Sequence, residues 1–159
     1  MYALAAVQVV AQLNATPLEY PCYSSISAQY ADVEVSYPAS VRDATLRAEL
    51  ESLMLDCCRS GWDGYGAEAV STDAYRAAER FIRSLPVGIP QPELSADPDG
   101  CVTFEWRKSP RRTLLVSVRP GYALDYAALI GTAKAHGSEP FFGELPETLK
   151  TLIRRIVAA

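Results

Sequence analysis

Val102, Phe104 and Trp106 alternate with Thr103, Glu105 and Arg107, and Leu114, Val116 and Val118 repeat that period-two spacing a few residues later. An apolar side chain at every second position lines one face of an extended chain, so both runs read as strands with one face on a core. Turn chemistry bounds them. Asp97-Pro98-Asp99-Gly100 precedes the first, Lys108 to Arg112 separates the two, and Arg119-Pro120-Gly121 follows the second. Proline presets φ and glycine accepts the left-handed region, which favours short connections and therefore antiparallel neighbours. A strand from Glu93 completes the first hairpin, Tyr122 to Ile130 reads as the next strand, and Thr132 to Glu139 as a weaker last one.

Helical spacing frames this block. Leu46, Leu50, Leu53, Met54 and Cys57 recur on one face after a capping-box-like start at Ser40, ending near Ser60 and Gly61. A second helix starts near Ser71 and Thr72, with Asp73 in its first turn, Tyr75, Ala78, Ile82 and Leu85 as its stripe, and Pro86 as its stop. Leu145, Leu149, Leu152, Ile153 and Ile156 give a closing amphipathic helix. The expected fold is α+β: an antiparallel β meander of four to five strands packed against two to three helices, over residues 41–159. Residues 1–40 form a separate N-terminal segment docked on that domain, with a strand from Gln29 to Tyr37 where Ala31, Val33 and Val35 alternate with Asp32, Glu34 and Ser36.

A length of 159 residues suits one domain with a sizeable core. Met1 to Leu13 is apolar but carries Gln8 and Gln12 and no preceding cation, so neither a membrane span nor a secretory signal is read there. Cys22, Cys57, Cys58 and Cys101 contain no C-x-x-C pair and fit reduced, buried thiols, which places the chain in the cytoplasm. With His136 as the only histidine, no metal and no cofactor is implied.

Charge is unevenly placed. Residues 1–106 hold 6 Lys and Arg against 15 Asp and Glu, a net −9, while residues 107–159 hold 9 against 4, a net +5. No cation precedes Arg42, and five of the nine tyrosines lie in that opening stretch. Tyr30, Asp32, Glu34 and Tyr37 are therefore the candidate partner-binding residues, since aromatic rings give contact area at low entropy cost. The basic turn Arg107, Lys108, Arg111 and Arg112 beside Trp106 is what a nucleic-acid contact uses, but the acidic total argues against that partner.

The loop Gly61-Trp62-Asp63-Gly64-Tyr65-Gly66 is the second candidate site. No Gly-Lys-Ser/Thr follows it, which excludes a phosphate loop. Trp62, Asp63 and Tyr65 read either as an aromatic and carboxylate recognition site or as a structural loop whose rings plug the core while Asp63 caps backbone amides. Asp97 and Asp99 lack the further ligands of a calcium loop and read as a turn. His136 as a general base, and Asp63, Glu105 and Asp125 as paired carboxylates, stand without a nucleophile motif, so no catalytic residue is assigned.

Gly61 to Thr72, Pro92 to Trp106, Thr113 to Val118, Tyr126 to Gly131 and His136 to Leu149 form an ordered set of motifs. The set resembles an uncharacterised family of small bacterial proteins with a WDGYGA-type loop, a DPDG hairpin and a terminal GTE-F-like strand, over about residues 50–157. Ala69 stands where such loops show proline, and the N-terminal segment has no counterpart. The resemblance implies a mobile-element or toxin-antitoxin-like setting and hence a protein partner, a toxin or a defence-complex subunit. The function expected is a non-enzymatic binding module that inhibits or neutralises that partner, antitoxin-like or anti-CRISPR-like. A small enzyme working at the Trp62 to Tyr65 loop and a homodimer pairing through a sheet edge are the alternatives, and the state is monomer or homodimer.

Overall fold

The computed structural model describes residues 41–157. Helix α1 (Val41–Cys57) and helix α2 (Thr72–Ser84) precede strands β1 (Glu93–Ala96), β2 (Val102–Ser109), β3 (Arg112–Val118), β4 (Ala123–Ile130) and β5 (Ala133–Pro140), and helix α3 (Glu147–Val157) closes the domain. The strands form one antiparallel sheet in the order of the sequence, the meander expected from the turns. The expected strand at Gln29 to Tyr37 lies outside the described residues.

Local chemistry sets the helix ends. Ser71 caps α2 by accepting the Ala74 amide at 3.1 Å, satisfying one of the donors a helix start leaves over. Pro86 follows the C-cap Leu85, whose amide returns to the Ile82 carbonyl. At the start of α1, Arg42 donates to the Pro86 carbonyl at 2.8 Å and the Leu85 carbonyl at 3.3 Å while bonding the Asp43 carboxylate at 2.8 Å. A cation on the carbonyls that end α2 is electrostatically favoured. It ties the first turn of one helix to the last of the other.

All three helices cover one face of the sheet. Val102, Phe104, Trp106, Leu114, Val116, Val118 and Leu124 turn that face inward, against Leu46, Leu50 and Met54 of α1, Phe81 and Ile82 of α2, and Leu149, Ile153 and Ile156 of α3. Phe81 is the hub, with its ring centroid 4.7 Å from Phe104, 5.9 Å from Phe141 and 6.4 Å from Trp106 in tilted and edge-on pairs. The Trp106 indole donates to the Pro90 carbonyl at 3.0 Å, so its buried N–H has a partner.

The outer face carries Leu115, 39% exposed, beside a polar row ordered by register. Thr103, Ser117, Asp125 and Ser138 occupy one row across β2 to β5. The Asp97 carboxylate accepts from Thr103 Oγ1 at 2.5 Å and Ser117 Oγ at 3.1 Å, and Asp125 accepts from Ser138 and pairs with Arg119 at 2.5 Å. Hydroxyl donors thus satisfy the first aspartate of the DPDG turn. The Asp97 to Gly100 segment is a hairpin turn, closed by Gly100 N–H to the Asp97 carbonyl at 2.9 Å. Among the described residues no helix is long and apolar enough to cross a membrane.

Candidate functional site

Four connections meet at one end of the sheet: the α1–α2 loop, the β1–β2 turn, the β3–β4 turn and the β5–α3 loop. The α1–α2 loop docks on the hairpin turn through the Glu68 amide, which donates to the Pro98 carbonyl at 2.8 Å. Within it, Asp63 Oδ1 accepts from the amides of Tyr65 at 2.8 Å and Ala67 at 3.0 Å, and Gly61 N–H closes on the Ala67 carbonyl at 2.7 Å. Trp62 Nε1 donates to the Glu68 carbonyl at 2.9 Å, and its ring packs half-buried against the core.

This matches the structural reading of the loop for Trp62 and Asp63 but corrects it for Tyr65. The Tyr65 side chain is 96% exposed. Asp63 and the flanking glycine turn fix the backbone by themselves, so the ring at the apex is left outside. The Asp63 carboxyl titrates below its ordinary value because the Ala67 amide, then the Tyr65 amide, bonds its ionised form. A depressed carboxyl contributes loop stability that is present above the unfolded-state value and lost as pH falls through the lower folded-state value. In an NMR titration the Tyr65 and Ala67 amides are expected to shift with a midpoint below 3.8, the ordinary aspartate value. A midpoint at or above it would mean that the loop does not hold this carboxylate.

The remaining catalytic candidates are not brought together. His136 sits exposed on β5 opposite Ala127, whereas the Asp63 loop rests on the β1–β2 turn. Three strand spacings separate β2 from β5, about 14 Å at the usual interstrand distance. That is beyond the reach of an acid–base pair. Glu105 is engaged by Arg107 at 2.6 Å and Asp125 by Arg119, so each carboxylate of the supposed set has its own partner. Among the described residues no cluster of His, Cys, Asp and Glu is arranged to hold a metal ion. Cys57 and Cys101 are free thiols. Burial pushes Cys101 up to about 12, with Asp99 adding to the shift, and burial followed by the charge of Asp56 raises Cys57. Neither is a poised nucleophile.

The same end of the sheet carries a feature that the periodicity did not disclose. Tyr122 and Phe142 stack with centroids 5.5 Å apart while remaining 64% and 79% exposed. Phe141 donates its amide to the Tyr122 carbonyl at 2.9 Å and buries its ring against Phe81, which leaves the next residue, Phe142, on the outside. Arg80 of α2 lies 6.0 Å from the Tyr122 ring and donates to the Gly121 carbonyl at 3.4 Å. Tyr122 was read only as the start of a strand. The visible signal was Phe141-Phe142 before Gly143, two large rings where a loop is expected.

A shallow groove of about 580 Å³ runs between α1 and β1, lined by Glu49, Leu53, Asp56, Cys57, Glu93 and Leu94 among others. Gln91 spans its rim to Glu49 at 2.8 Å. The lining is apolar at the bottom and anionic at the edges. Tyr30, Asp32, Glu34 and Tyr37 lie outside the described residues. No family model matches the chain, and no curated protein and no solved structure matches it.

Proposed function

We propose that this chain is a non-enzymatic protein-binding module that inhibits or neutralises a larger bacterial partner, as an antitoxin-like protein or a phage-borne anti-defence inhibitor such as an anti-CRISPR. The exposed stacked pair of Tyr122 and Phe142, braced by Arg80, carries the reading. Large aromatic and arginine side chains dominate the energetics of protein interfaces, and preordered rings lose little entropy on docking. Tyr65 adds a third exposed ring at the same end of the sheet. The anionic groove beside α1 suits a cationic partner surface, where charge complementarity mainly speeds association and sets specificity. Tyr30, Asp32, Glu34 and Tyr37 are proposed as further contacts.

Two placements weigh against the catalytic alternative: the Asp63 carboxylate is committed to loop amides, and His136 lies across the sheet from it. Pairing through the β5 edge is less favoured, because Lys134, Glu139 and Pro140 are residues that blunt a strand edge.

The test is affinity capture from host lysate with the wild-type chain and a Tyr122→Ala/Phe142→Ala variant in parallel. A stoichiometric protein is expected on the wild type, with at least a tenfold weaker affinity for the variant, equivalent to about 1.4 kcal/mol. The rings are exposed, so the variant is expected to keep its circular dichroism and melting curve. Equal capture by both proteins would remove the aromatic pair from the interface.

A further inference from the structure

Strand β1 is an edge of the sheet, and among the described residues β2 is the strand it pairs with. In an antiparallel pair only alternate residues bond their opposite number, and those between turn both backbone groups away. The Asp97 amide bonds the Cys101 carbonyl at 2.9 Å, in the register that also sets Ser95 against Thr103 and Glu93 against Glu105, so Ser95 and Glu93 are bonded positions. Leu94 and Ala96 therefore present N–H and C=O groups to the open side. Among the described residues neither has a hydrogen-bond partner there.

This open side is the groove beside α1. Gln91, just before β1, bonds Glu49 at 2.8 Å, and the loop after α1 bonds Pro98, just after β1, at 2.8 Å, so helix and strand run alongside each other in the same direction. Glu49, Leu53 and Asp56 share one face of α1 and line the groove, with Glu93 and Leu94 lining it from the strand. Leu53 and Leu94 are half-buried, whereas Glu49, Asp56 and Glu93 are exposed. None of these three carboxylates has an ion-pair partner among the described residues.

The cations of residues 107–159 sit elsewhere. Arg107, Lys108, Arg111 and Arg112 flank the β2–β3 tip, and the β4–β5 turn with Lys134 lies against that tip through Gly131 N–H to the Arg111 carbonyl at 2.7 Å. The last turn of α3, with Arg154 and Arg155, reaches the same end because Lys108 Nζ donates to the Val157 carbonyl at 3.4 Å. Arg107, two residues along β2 from Glu105, is held by that carboxylate at 2.6 Å. The groove thus keeps its negative charge.

We propose that the groove takes an extended, cationic segment of a partner protein, which adds to the sheet as a strand beside β1. The backbone groups of Leu94 and Ala96 supply the pairing, as in other cases where a peptide extends a sheet edge. Alternate side chains of the added strand face α1. Glu49 and Asp56 are about 10.5 Å apart along the helix at 1.5 Å per residue, and three alternate positions of a strand cover about 13 Å. An apolar side chain over Leu53 and Leu94 with Lys or Arg two positions to either side matches that spacing, and a cation on the other face meets Glu93. A second copy of this chain is the poorer occupant, since two β1 edges would bring Glu93 carboxylates together. The proposal rests on the inhibitor reading only for the existence of a protein partner.

Peptides of about eight random residues, within the usual range of strand lengths, displayed on phage and selected on the immobilised full chain, supply the probe. Enriched sequences are expected to carry Lys or Arg two positions before and two after an apolar residue. A synthetic peptide of that sequence is expected to slow hydrogen exchange at the Leu94 and Ala96 amides about tenfold or more, with little change at Glu93 and Ser95, which already bond β2. Glu49→Lys/Asp56→Lys is expected to bind it at least about tenfold more weakly while keeping its melting curve, because both side chains are exposed. No enrichment, an enriched set without cations, equal affinity for the variant, or binding that leaves both amides exchanging freely overturns the proposal. Protection of both amides in the free chain also overturns it: lost on dilution, it gives the edge to a second copy, and kept, to another part of the chain. The selection uses no lysate protein and leaves Tyr122 and Phe142 in place, so a failure here and a failure of the inhibitor reading are seen separately.

Discussion

Phe81→Ala is expected to lower the unfolding free energy by about 3–5 kcal/mol, the range for removing a fully buried phenylalanine from a core that collapses only in part. The side chain has no solvent exposure and touches three rings from two separate parts of the chain: Phe104 and Trp106 on β2, and Phe141 on the β5–α3 connection. Its loss takes dispersion contacts from all of them at once, and the surrounding rings are held by their own strands. A domain of ordinary stability has about 5–15 kcal/mol in total, so a large part of it rests on this position. Urea unfolding checks the effect: the midpoint is expected to fall with little change in slope. Phe81→Leu keeps most of the volume and is expected to cost much less. A loss below about 1 kcal/mol for the alanine variant would show that the cavity closes and that Phe81 is not the hub.

Gly100→Ala is expected to have the second largest effect. The residue has φ +77° at the β1–β2 turn, and a Cβ there would sit 2.8 Å from the Ala69 carbonyl oxygen of the α1–α2 loop. Left-handed backbone costs an L-residue about 1–2 kcal/mol, and forcing two packed backbones apart adds about 1–3 kcal/mol. Gly64 is the matched control, with φ +79° and nothing within 4 Å of the added carbon. Gly64→Ala is therefore expected to carry only the conformational part. The difference between the two melting curves isolates the seating of the loop on the hairpin. Equal losses would mean that the loop moves aside freely, leaving Gly100 as a turn glycine and nothing more.

The meander was legible because its information is local. Val102, Phe104 and Trp106 put one face of β2 inward whatever lies opposite, and the proline and glycine turns leave few residues for anything but hairpins. Ser71 fixed the start of α2 in the same way, through an amide three residues on. Leu145 marks the limit of this kind of reading. It belongs to the apolar stripe and is buried, but α3 begins two residues later at Glu147. Periodicity reports burial and does not distinguish the first turn of a helix from the segment leading into it.

Phe81 was outside the expected stripe of α2, since Tyr75, Ala78, Ile82 and Leu85 already gave that helix one apolar face. It is buried because α2 meets both α1 and the sheet, so a wider arc of its surface is covered. The exposed aromatics show the same limit in the opposite sense. Composition and period give no reason for Tyr65 or Phe142 to be outside, and the rings of Phe141 and Phe142 are equivalent as sequence. The amide bond from Phe141 to Tyr122 and the space beside Phe81 separate them, sending one ring into the core and its neighbour into solvent.

What the sequence determined by itself, then, was the α+β class, the strand order, the starts of the first two helices and the split of charge along the chain. The tertiary structure alone decided which rings are exposed and that the cations of three distant segments share one end of the sheet. Those outcomes depend on contacts between residues far apart in the chain, and no local pattern records which distant neighbour will occupy the space beside a side chain.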